Sequence, residues 1–152
     1  MIKPYKISVP KSTLNNIYKK VRAYPWKMMQ NVNGWEYGTN YNFLKKISQY
    51  WVSKYNWKKF ENKINSFKNY KTNVDGINLH FIIEKSKNPK SRPLLLLHGW
   101  PGSVIEFFDI IPRLAHPEKF GGKIEDGFDV IVPSLPGFGF STPIKKALGP
   151  RK

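Results

Sequence analysis

Apolar side chains recur along the first part of the chain at the spacing of amphipathic helices. One such stretch follows Ser12, which we expect to cap a helix that ends near Pro25. A second stretch begins near Asn40, and a shorter third one follows Asn56. The predicted apolar faces are Leu14, Ile17, Tyr18 and Val21, then Leu44, Ile47, Trp51 and Tyr55, then Trp57, Phe60, Ile64 and Phe67. The pattern predicts a mainly helical N-terminal part, residues 1–68.

After residue 68 the period of the pattern changes from helical to extended. Apolar and polar side chains alternate through residues 77–84, residues 69–74 precede them, and Asp75-Gly76 stands between the two runs. Both central residues of a type I′ turn need a positive φ, which Asp and Gly tolerate. The sequence therefore predicts an antiparallel hairpin.

The hairpin is followed by an apolar run without alternation at Leu94–Leu97 and by another strand predicted to be buried at Phe128–Val132. Runs without alternation are typical of parallel strands that are covered on both faces. Between them a helix is predicted from about Ser103, and Pro112 should kink or end it. The order hairpin, strand, helix, strand indicates an α/β fold over residues 69–152.

The charge of the chain adds one alternative. The net charge is +16, from 26 Lys and Arg against 10 Asp and Glu. Basic chains bind nucleic acids or anionic membranes more often than neutral ones. No more than two lysines are adjacent, and few basic residues are arginine, the side chain that nucleic-acid sites favour. The arginines are Arg22, Arg92, Arg113 and Arg151. We interpret the charge as a solvated surface and expect no specific nucleic-acid partner, with a basic binding module as the alternative.

The absence of Cys excludes disulfides, thiol catalysis and zinc–thiolate sites. The longest apolar run, Leu94–Leu97, is far shorter than the roughly 20 residues of a membrane helix. No apolar signal region follows Met1. We expect a soluble, cytoplasmic chain with neither cofactor nor metal.

The segment His98–Ser103, with the sequence HGWPGS, is the most informative part of the chain. It leaves a predicted strand and enters a predicted helix, which is where open α/β sheets build their ligand crevice. Gly99, Pro101 and Gly102 hold the backbone in a tight path. Backbone N–H groups near a helix N-terminus can face a developing negative charge.

Two side chains of this segment have both a catalytic and a structural interpretation. Ser103 is followed three residues later by Glu106, and no G-x-S-x-G elbow surrounds it, so we interpret Ser103 as a helix cap rather than a nucleophile. His98 could act as a general base, but no carboxylate partner is indicated, and we expect it to hydrogen-bond to the turn. His80 and His116 lack the spacing of metal ligands.

A second loop, Pro133–Ser141, follows the last predicted strand. Gly137 and Gly139 suggest a dinucleotide-binding loop, but Thr142 stands where the third glycine belongs. We interpret this loop, including Pro136 and Gly137, as the rigid lining of a cleft.

Taken in order, these segments resemble the N-terminal region of epoxide hydrolases of the microsomal and juvenile-hormone type. The resemblance covers nearly all 152 residues. Its matching segments are Tyr5–Pro10, Gly34–Gly38, Tyr50-Trp51, Tyr55–Trp57, Asp75–Phe81, His98–Ser103 and Pro133–Ser141. The Trp form of the His98 loop, joined to a long helical arm, is specific to this family. A haloalkane dehalogenase is an alternative α/β-hydrolase, but the long arm argues against it, because those enzymes usually begin near the sheet.

The resemblance implies an α/β fold in which an incomplete α/β-hydrolase sheet, residues 69–152, is preceded by a mainly helical N-terminal arm, residues 1–68. It implies a small apolar epoxide as substrate, which an Asp attacks to form an ester that a His-activated water hydrolyses. Two lid tyrosines would bind the epoxide oxygen. The backbone N–H of Trp100 is implied as an oxyanion-hole donor, and the Trp100–Pro101 bond as cis. The implied substrate-side residues are His98, Gly99, Pro101, Gly102, Pro136 and Gly137.

The resemblance also places the nucleophile, the base and the lid tyrosines after Lys152. None of the candidates Asp75, Asp109, Asp126 and Asp129 is placed like the family's nucleophile. We therefore expect a fragment whose tail, residues 144–152, is interrupted before a helix, and which is inactive alone. Such a chain should self-associate or need a missing C-terminal part. Family members often carry a membrane helix before the arm, so membrane association is possible in the family.

Overall fold

The computed structural model describes residues 1–30 and 34–144, and the chain forms two units. One unit combines Met1–Ile7 with the chain from Asn62 onward, and the other is Ser8–Glu61. The sequence-based boundary at residue 68 stays a prediction. The predicted tail lies outside the described residues, except for Ile144.

Helices dominate the unit Ser8–Glu61. They are α1 (Lys11–Arg22), a 3-10 turn (Trp26–Met28), α2 (Tyr41–Ser53) and most of α3 (Trp57–Asn65). The Asn40 side chain caps α2 by accepting a hydrogen bond from the N–H of Phe43 at 3.0 Å, and Asn56 accepts one from Lys59 at 3.2 Å. The predicted starts of these two helices are thus confirmed.

The predicted cap of α1 is wrong. The helix begins at Lys11, one residue before Ser12, and Pro10 occupies the N-cap position without a side-chain hydrogen bond. Proline suits the entry to a helix because its ring fixes φ, here −58°, and because a helix start leaves N–H groups unpaired in any case.

Glu61 joins the two ends of this helical unit. Its carboxylate accepts hydrogen bonds from the backbone N–H of Val9 at 2.7 Å and from Nε1 of Trp57 at 2.9 Å, and it pairs with Nζ of Lys58 at 2.5 Å. These partners, with Lys58 contributing most, lower the pKa of Glu61 to about 2. The chain entering α1 is thereby held to α3.

The other unit contains a five-stranded sheet with the order β1-β2-β3-β5-β4. Its strands are β1 (Lys3–Pro4), β2 (Asn69–Val74), β3 (Ile77–Glu84), β4 (Pro93–Leu95) and β5 (Asp129–Pro133). The pairing of β4 with β5 is parallel, and the other three pairings are antiparallel.

The hairpin of β2 and β3 is confirmed. It joins at Asp75 and Gly76, whose φ values of +50° and +83° are both positive, as a type I′ turn requires. The strand β1 was not predicted, because two residues are too few to show an alternating pattern.

The prediction that β5 is buried is right, whereas the cover on both faces that was predicted for β4 is wrong. Val130 and Val132 of β5 are fully buried. In the described part of the chain β4 pairs only with β5 and lies at the edge of the sheet, so Leu95 and Leu97 are each 56% exposed. An apolar run predicts two-sided burial only where both neighbours are present.

The single helix predicted after Ser103 is also wrong. The chain forms a 3-10 turn (Val104–Phe107) and then a short helix, α4 (Ile111–Ala115). Pro112 lies in the first turn of α4, where a missing N–H costs nothing, so it starts a helix rather than ending one. Further 3-10 turns, Pro117–Phe120 and Ile124–Asp126, lead to β5.

The core of the sheet unit is mainly apolar, with a few buried polar side chains. Its fully or almost fully buried side chains include Ile64, Ile82, Val104, Ile111, Ala115, Val130 and Val132. No helix within the described ranges has both the length and the apolar character to cross a membrane.

Candidate functional site

The two predicted site segments meet at one edge of the sheet. Because β4 and β5 are parallel, their carboxyl ends lie side by side, and the loops that follow start next to each other. We call His98–Gly102 the HGWPG loop and Ser134–Ser141 the serine loop. The N–H of Leu135 donates a hydrogen bond to Nε2 of His98 at 3.0 Å, which joins the two loops directly.

His98 is buried and has a defined protonation pattern. The N–H of Leu135 can only donate, so Nε2 of His98 is the acceptor and the proton resides on Nδ1. Nδ1 then donates to the carbonyl oxygen of Gly99 at 3.0 Å. The ring also packs edge-on against Phe138, with 5.1 Å between ring centroids. The predicted hydrogen bond to the turn is confirmed, and the occupied Nε2 lone pair leaves no position for general-base work.

Ser103 acts as the predicted cap. Its N–H donates to Oε1 of Glu106 at 2.8 Å, and its Oγ accepts from the N–H of Ile105 at 3.4 Å. The capping box is therefore confirmed, although it starts a 3-10 turn instead of an α-helix.

The HGWPG loop exposes Trp100. The Trp100–Pro101 bond is cis, as the resemblance implied, and Trp100 is 84% exposed. A Cβ on Gly102 would lie 2.7 Å from the carbonyl oxygen of Gly99, so the turn closes too tightly for any side chain there. Among the described residues nothing accepts a hydrogen bond from the Trp100 N–H, which leaves this donor open to a ligand.

The serine loop is a series of tight turns that contains Pro136 and Gly137. The N–H of Phe138 bonds to the carbonyl of Leu135, and the N–H of Ser141 bonds to that of Phe138, both at 2.9 Å. Gly137 has a φ of +89°, in the left-handed region that favours glycine. The loop therefore has a fixed path beside the HGWPG loop.

His80 was not predicted as part of this region. Its ring is completely buried, with Nδ1 2.9 Å from Oγ of Ser134 and Nε2 3.0 Å from Oδ1 of Asn69. Burial, together with the nearby charge of Lys71, lowers the pKa of His80 to about 4, so the ring is neutral at pH 7. The alternating pattern of β3 placed His80 on the second, more polar side of the strand, and its hydrogen-bond partners Ser134 and Asn69 gave no signal in the sequence.

None of the four aspartates forms a hydrogen bond or an ion pair with the two loops. Asp129 begins β5, at the opposite end of the strand from the serine loop, and pairs with Lys85 at 2.5 Å. The Lys85 partnership lowers the pKa of Asp129. Asp126 precedes the same end of that strand, Asp109 has a 95% exposed side chain, and Asp75 forms the hairpin turn.

His116 lies elsewhere and bonds to Oε1 of Glu84 at 2.8 Å. Over residues 1–30 and 34–144, no group of three or more His, Asp or Glu side chains is arranged to hold a metal ion.

Two family models match the chain. The model described as "Epoxide hydrolase N terminus" matches residues 2–107, and the model of the alpha/beta hydrolase fold matches residues 92–148. The first match covers more than half of the chain.

Individual relatives agree with these models. A protein of Stigmatella aurantiaca assigned as an epoxide hydrolase is 46% identical over 140 residues, which cover 92% of this chain and 32% of that protein. Epoxide hydrolase 1 of Oryctolagus cuniculus is 38% identical over 146 residues, with the same coverage. The crystal structure of juvenile hormone epoxide hydrolase from Bombyx mori superposes with a TM-score of 0.81 at 32% identity, covering 96% of this chain and 35% of that one. The chain thus spans about a third of the length of the curated relatives it matches, and it belongs to the epoxide hydrolase family, with an α/β-hydrolase fold.

Proposed function

We propose that this chain forms the oxyanion side of an epoxide hydrolase active site. In the reaction implied by the family, water attacks an enzyme ester and negative charge develops on the ester oxygen. A preorganised backbone N–H can stabilise that charge without reorganising during the reaction. The observation that carries the proposal is the open N–H of Trp100 in a turn fixed by Gly102 and His98.

The small apolar epoxide proposed as substrate would approach the HGWPG and serine loops. The exposed Trp100 side chain, Pro101 and Pro136 offer apolar surface there, with Gly99, Gly102 and Gly137 leaving the backbone accessible. Family membership favours this function over the basic nucleic-acid-binding alternative. The cytoplasmic location stays a prediction.

We also propose that the chain does not open epoxides unaided. Opening the ring needs a carboxylate nucleophile and a base that activates water. The aspartates make no hydrogen bond or ion pair with the two loops, the Glu106 carboxylate beside the HGWPG loop is engaged by the N–H of Ser103, and His98 and His80 have both ring nitrogens engaged. We infer that the nucleophile and the base, with the lid tyrosines that the resemblance implies, come from residues outside the described part. We further propose that residues 1–68 form an arm and residues 69–152 a core, since α1 to α3 lie in the first part and β2 to β5 in the second.

A chimera tests the proposal. The present residues would replace the matching region of the Stigmatella aurantiaca relative, chosen for its 46% identity, and diol formation from styrene oxide would be measured. Trp100→Pro removes the N–H, whereas Trp100→Phe keeps it and serves as the matched control. We expect Trp100→Pro to lower kcat about 100- to 1,000-fold and Trp100→Phe to retain most of it. Equal rates for the two variants would overturn the oxyanion role, and diol formation by the isolated 152-residue chain would overturn its inactivity.

A further inference from the structure

We propose that His80 is a positioning residue for the Trp100 amide. Its ring holds Ser134, the next residue Leu135 holds His98, and His98 holds the turn that carries Trp100. We call this series of hydrogen bonds from His80 to the turn the relay. Its effect on catalysis rests on the proposed function, whereas the hydrogen bonds themselves belong to the folded chain.

The hydrogen bonds of Asn69 fix the orientation of the His80 ring. The side-chain amide of Asn69 donates to the carbonyl oxygens of Ile64 and Phe67, both at 2.8 Å, so its Oδ1 faces His80. Nε2 of His80 must therefore carry the proton and donate it to Oδ1. Nδ1 is left as an acceptor, and the hydroxyl of Ser134 donates to it. A single neutral tautomer satisfies every partner.

Backbone hydrogen bonds attach both ends of the serine loop to His80. The N–H of His80 donates to Oγ of Ser141 at 2.8 Å, and the N–H of Ser134 donates to the carbonyl of His80 at 2.9 Å. The hydroxyl of Ser141 in turn donates to the carbonyl of Ser134 at 2.7 Å. The three residues are each at most 1% exposed, so water does not compete for these bonds.

The cluster is connected to the site through a single peptide unit. Ser134 and Leu135 are consecutive, so the hydroxyl that fixes Ser134 also fixes the direction of the Leu135 N–H. That N–H occupies Nε2 of His98, which forces the proton to Nδ1 and towards the carbonyl of Gly99. Loss of the Ser134 hydroxyl should release this sequence of contacts and loosen the peptide between Gly99 and Trp100.

Packing alone does not explain a buried histidine here. The neighbouring sheet positions Ile82, Val130 and Val132 form an apolar core. A buried polar cluster stabilises a fold less than apolar side chains of similar volume, but it specifies one arrangement when every member is satisfied. This cluster specifies the turn that leads into β2, through Asn69, and the serine loop, through which it reaches the HGWPG loop.

The relay is testable by NMR on the chain itself. In the imidazole nitrogen spectrum at pH 7, we expect His80 to carry its proton on Nε2 and His98 on Nδ1. In Ser134→Ala, the His98 nitrogens should move towards tautomer-averaged shifts, and the amide signals of Leu135 and Trp100 should move with them. Ser134→Thr, which keeps the hydroxyl, should restore the original shifts. The matched control is Ser86→Ala, which removes a serine cap from the N–H of Asn88 in another loop.

A second measurement needs no variant. The bond from Leu135 to His98 joins two nitrogens, so it should give a through-hydrogen-bond 15N–15N coupling in the unmodified chain. Absence of that coupling, or unchanged His98 and Trp100 signals in a folded Ser134→Ala chain, would overturn the relay.

The chimera separates this inference from the proposed function. There, Ser134→Ala should lower kcat by up to about 100-fold with little change in KM, because the oxyanion donor is displaced rather than removed. If Trp100→Pro has no effect while the NMR shifts follow the relay, the proposed function fails and the relay stands. If Trp100→Pro is damaging but Ser134→Ala changes neither the shifts nor kcat, the positioning role of His80 fails.

Discussion

A Cβ on Gly102 would lie 2.7 Å from the carbonyl oxygen of Gly99, whereas a Cβ on Gly99 would meet no atom within 4 Å. Real Cβ atoms essentially never approach a backbone atom within 3.0 Å. The two glycines of the HGWPG loop therefore have different roles. Gly102 is required by the closure of the turn, whereas the fold of the chain does not require Gly99 to lack a side chain.

Gly102→Ala and Gly99→Ala form a matched pair. We expect Gly102→Ala to lower the free energy of unfolding by about 1–3 kcal/mol, because backbone must move to admit the methyl group. Gly99→Ala should change it by less than about 0.5 kcal/mol. Urea denaturation of the two variants checks this expectation, and equal losses would contradict it.

The buried His80 makes stability depend on pH. Its pKa is about 4 in the folded chain and 6.5 in the unfolded one, so between these values only the unfolded state binds the proton. The contribution is fully present above pH 6.5 and is lost as the pH falls through 4. Its size is about 3 kcal/mol. The difference between the pH–stability curves of the unmodified chain and His80→Asn should show this slope, and parallel curves would contradict it.

Glu61 should stabilise the folded chain through its charge as well as through its hydrogen bonds. Glu61→Ala removes all three interactions, and we expect a loss of about 1–3 kcal/mol, because the half-buried donors at Val9 and Trp57 lose their acceptor. Glu61→Gln keeps an acceptor oxygen and should lose less. Thermal melts measure both effects. The part due to charge should be present above pH 4.5 and lost as the pH falls through about 2, since the folded pKa is lowered. If Glu61→Gln lost as much stability as Glu61→Ala, the hydrogen bonds from Val9 and Trp57 would have no stabilising role.

The exposed edge strand β4 should drive self-association. Leu95 and Leu97 present apolar side chains beside an edge that has no strand partner in the described residues. The double substitution Leu95→Lys and Leu97→Lys should reduce association in sedimentation velocity runs and lower the binding of an apolar dye. Ile2→Lys, at another exposed apolar position, is the control. A monomeric unmodified chain with low dye binding would contradict the expectation.

Local patterns predicted the hairpin, the starts of α2 and α3 and the Ser103 capping box, because each depends on residues at most a few positions apart. Asp75-Gly76 needs only its own backbone, and Asn40 reaches Phe43 three residues later. These features would form in almost any fold that contained the same segments.

Features that depend on distant partners were not predictable in this way. His80 gains its role from Ser134 and Ser141, 54 and 61 residues away. The exposure of β4 depends on which strands lie beside it. The start of α4 at Ile111 depends on a proline that is favourable in the first turn, and the spacing of apolar residues carries no information about that preference. The position of the HGWPG loop could be predicted from its strand and glycines, but its hydrogen bond to the serine loop could not.

The pairing of β1 with β2 has a consequence for synthesis on the ribosome. Lys3 pairs with Lys71 and Pro4 with Tyr70, so the first strand of the sheet has no partner until some 65 further residues have been translated. At typical elongation rates that interval is roughly 3–13 s. The segment Ser8–Glu61 leaves the ribosome before β2 does, so the nascent chain can build its helices before β1 finds its place in the sheet.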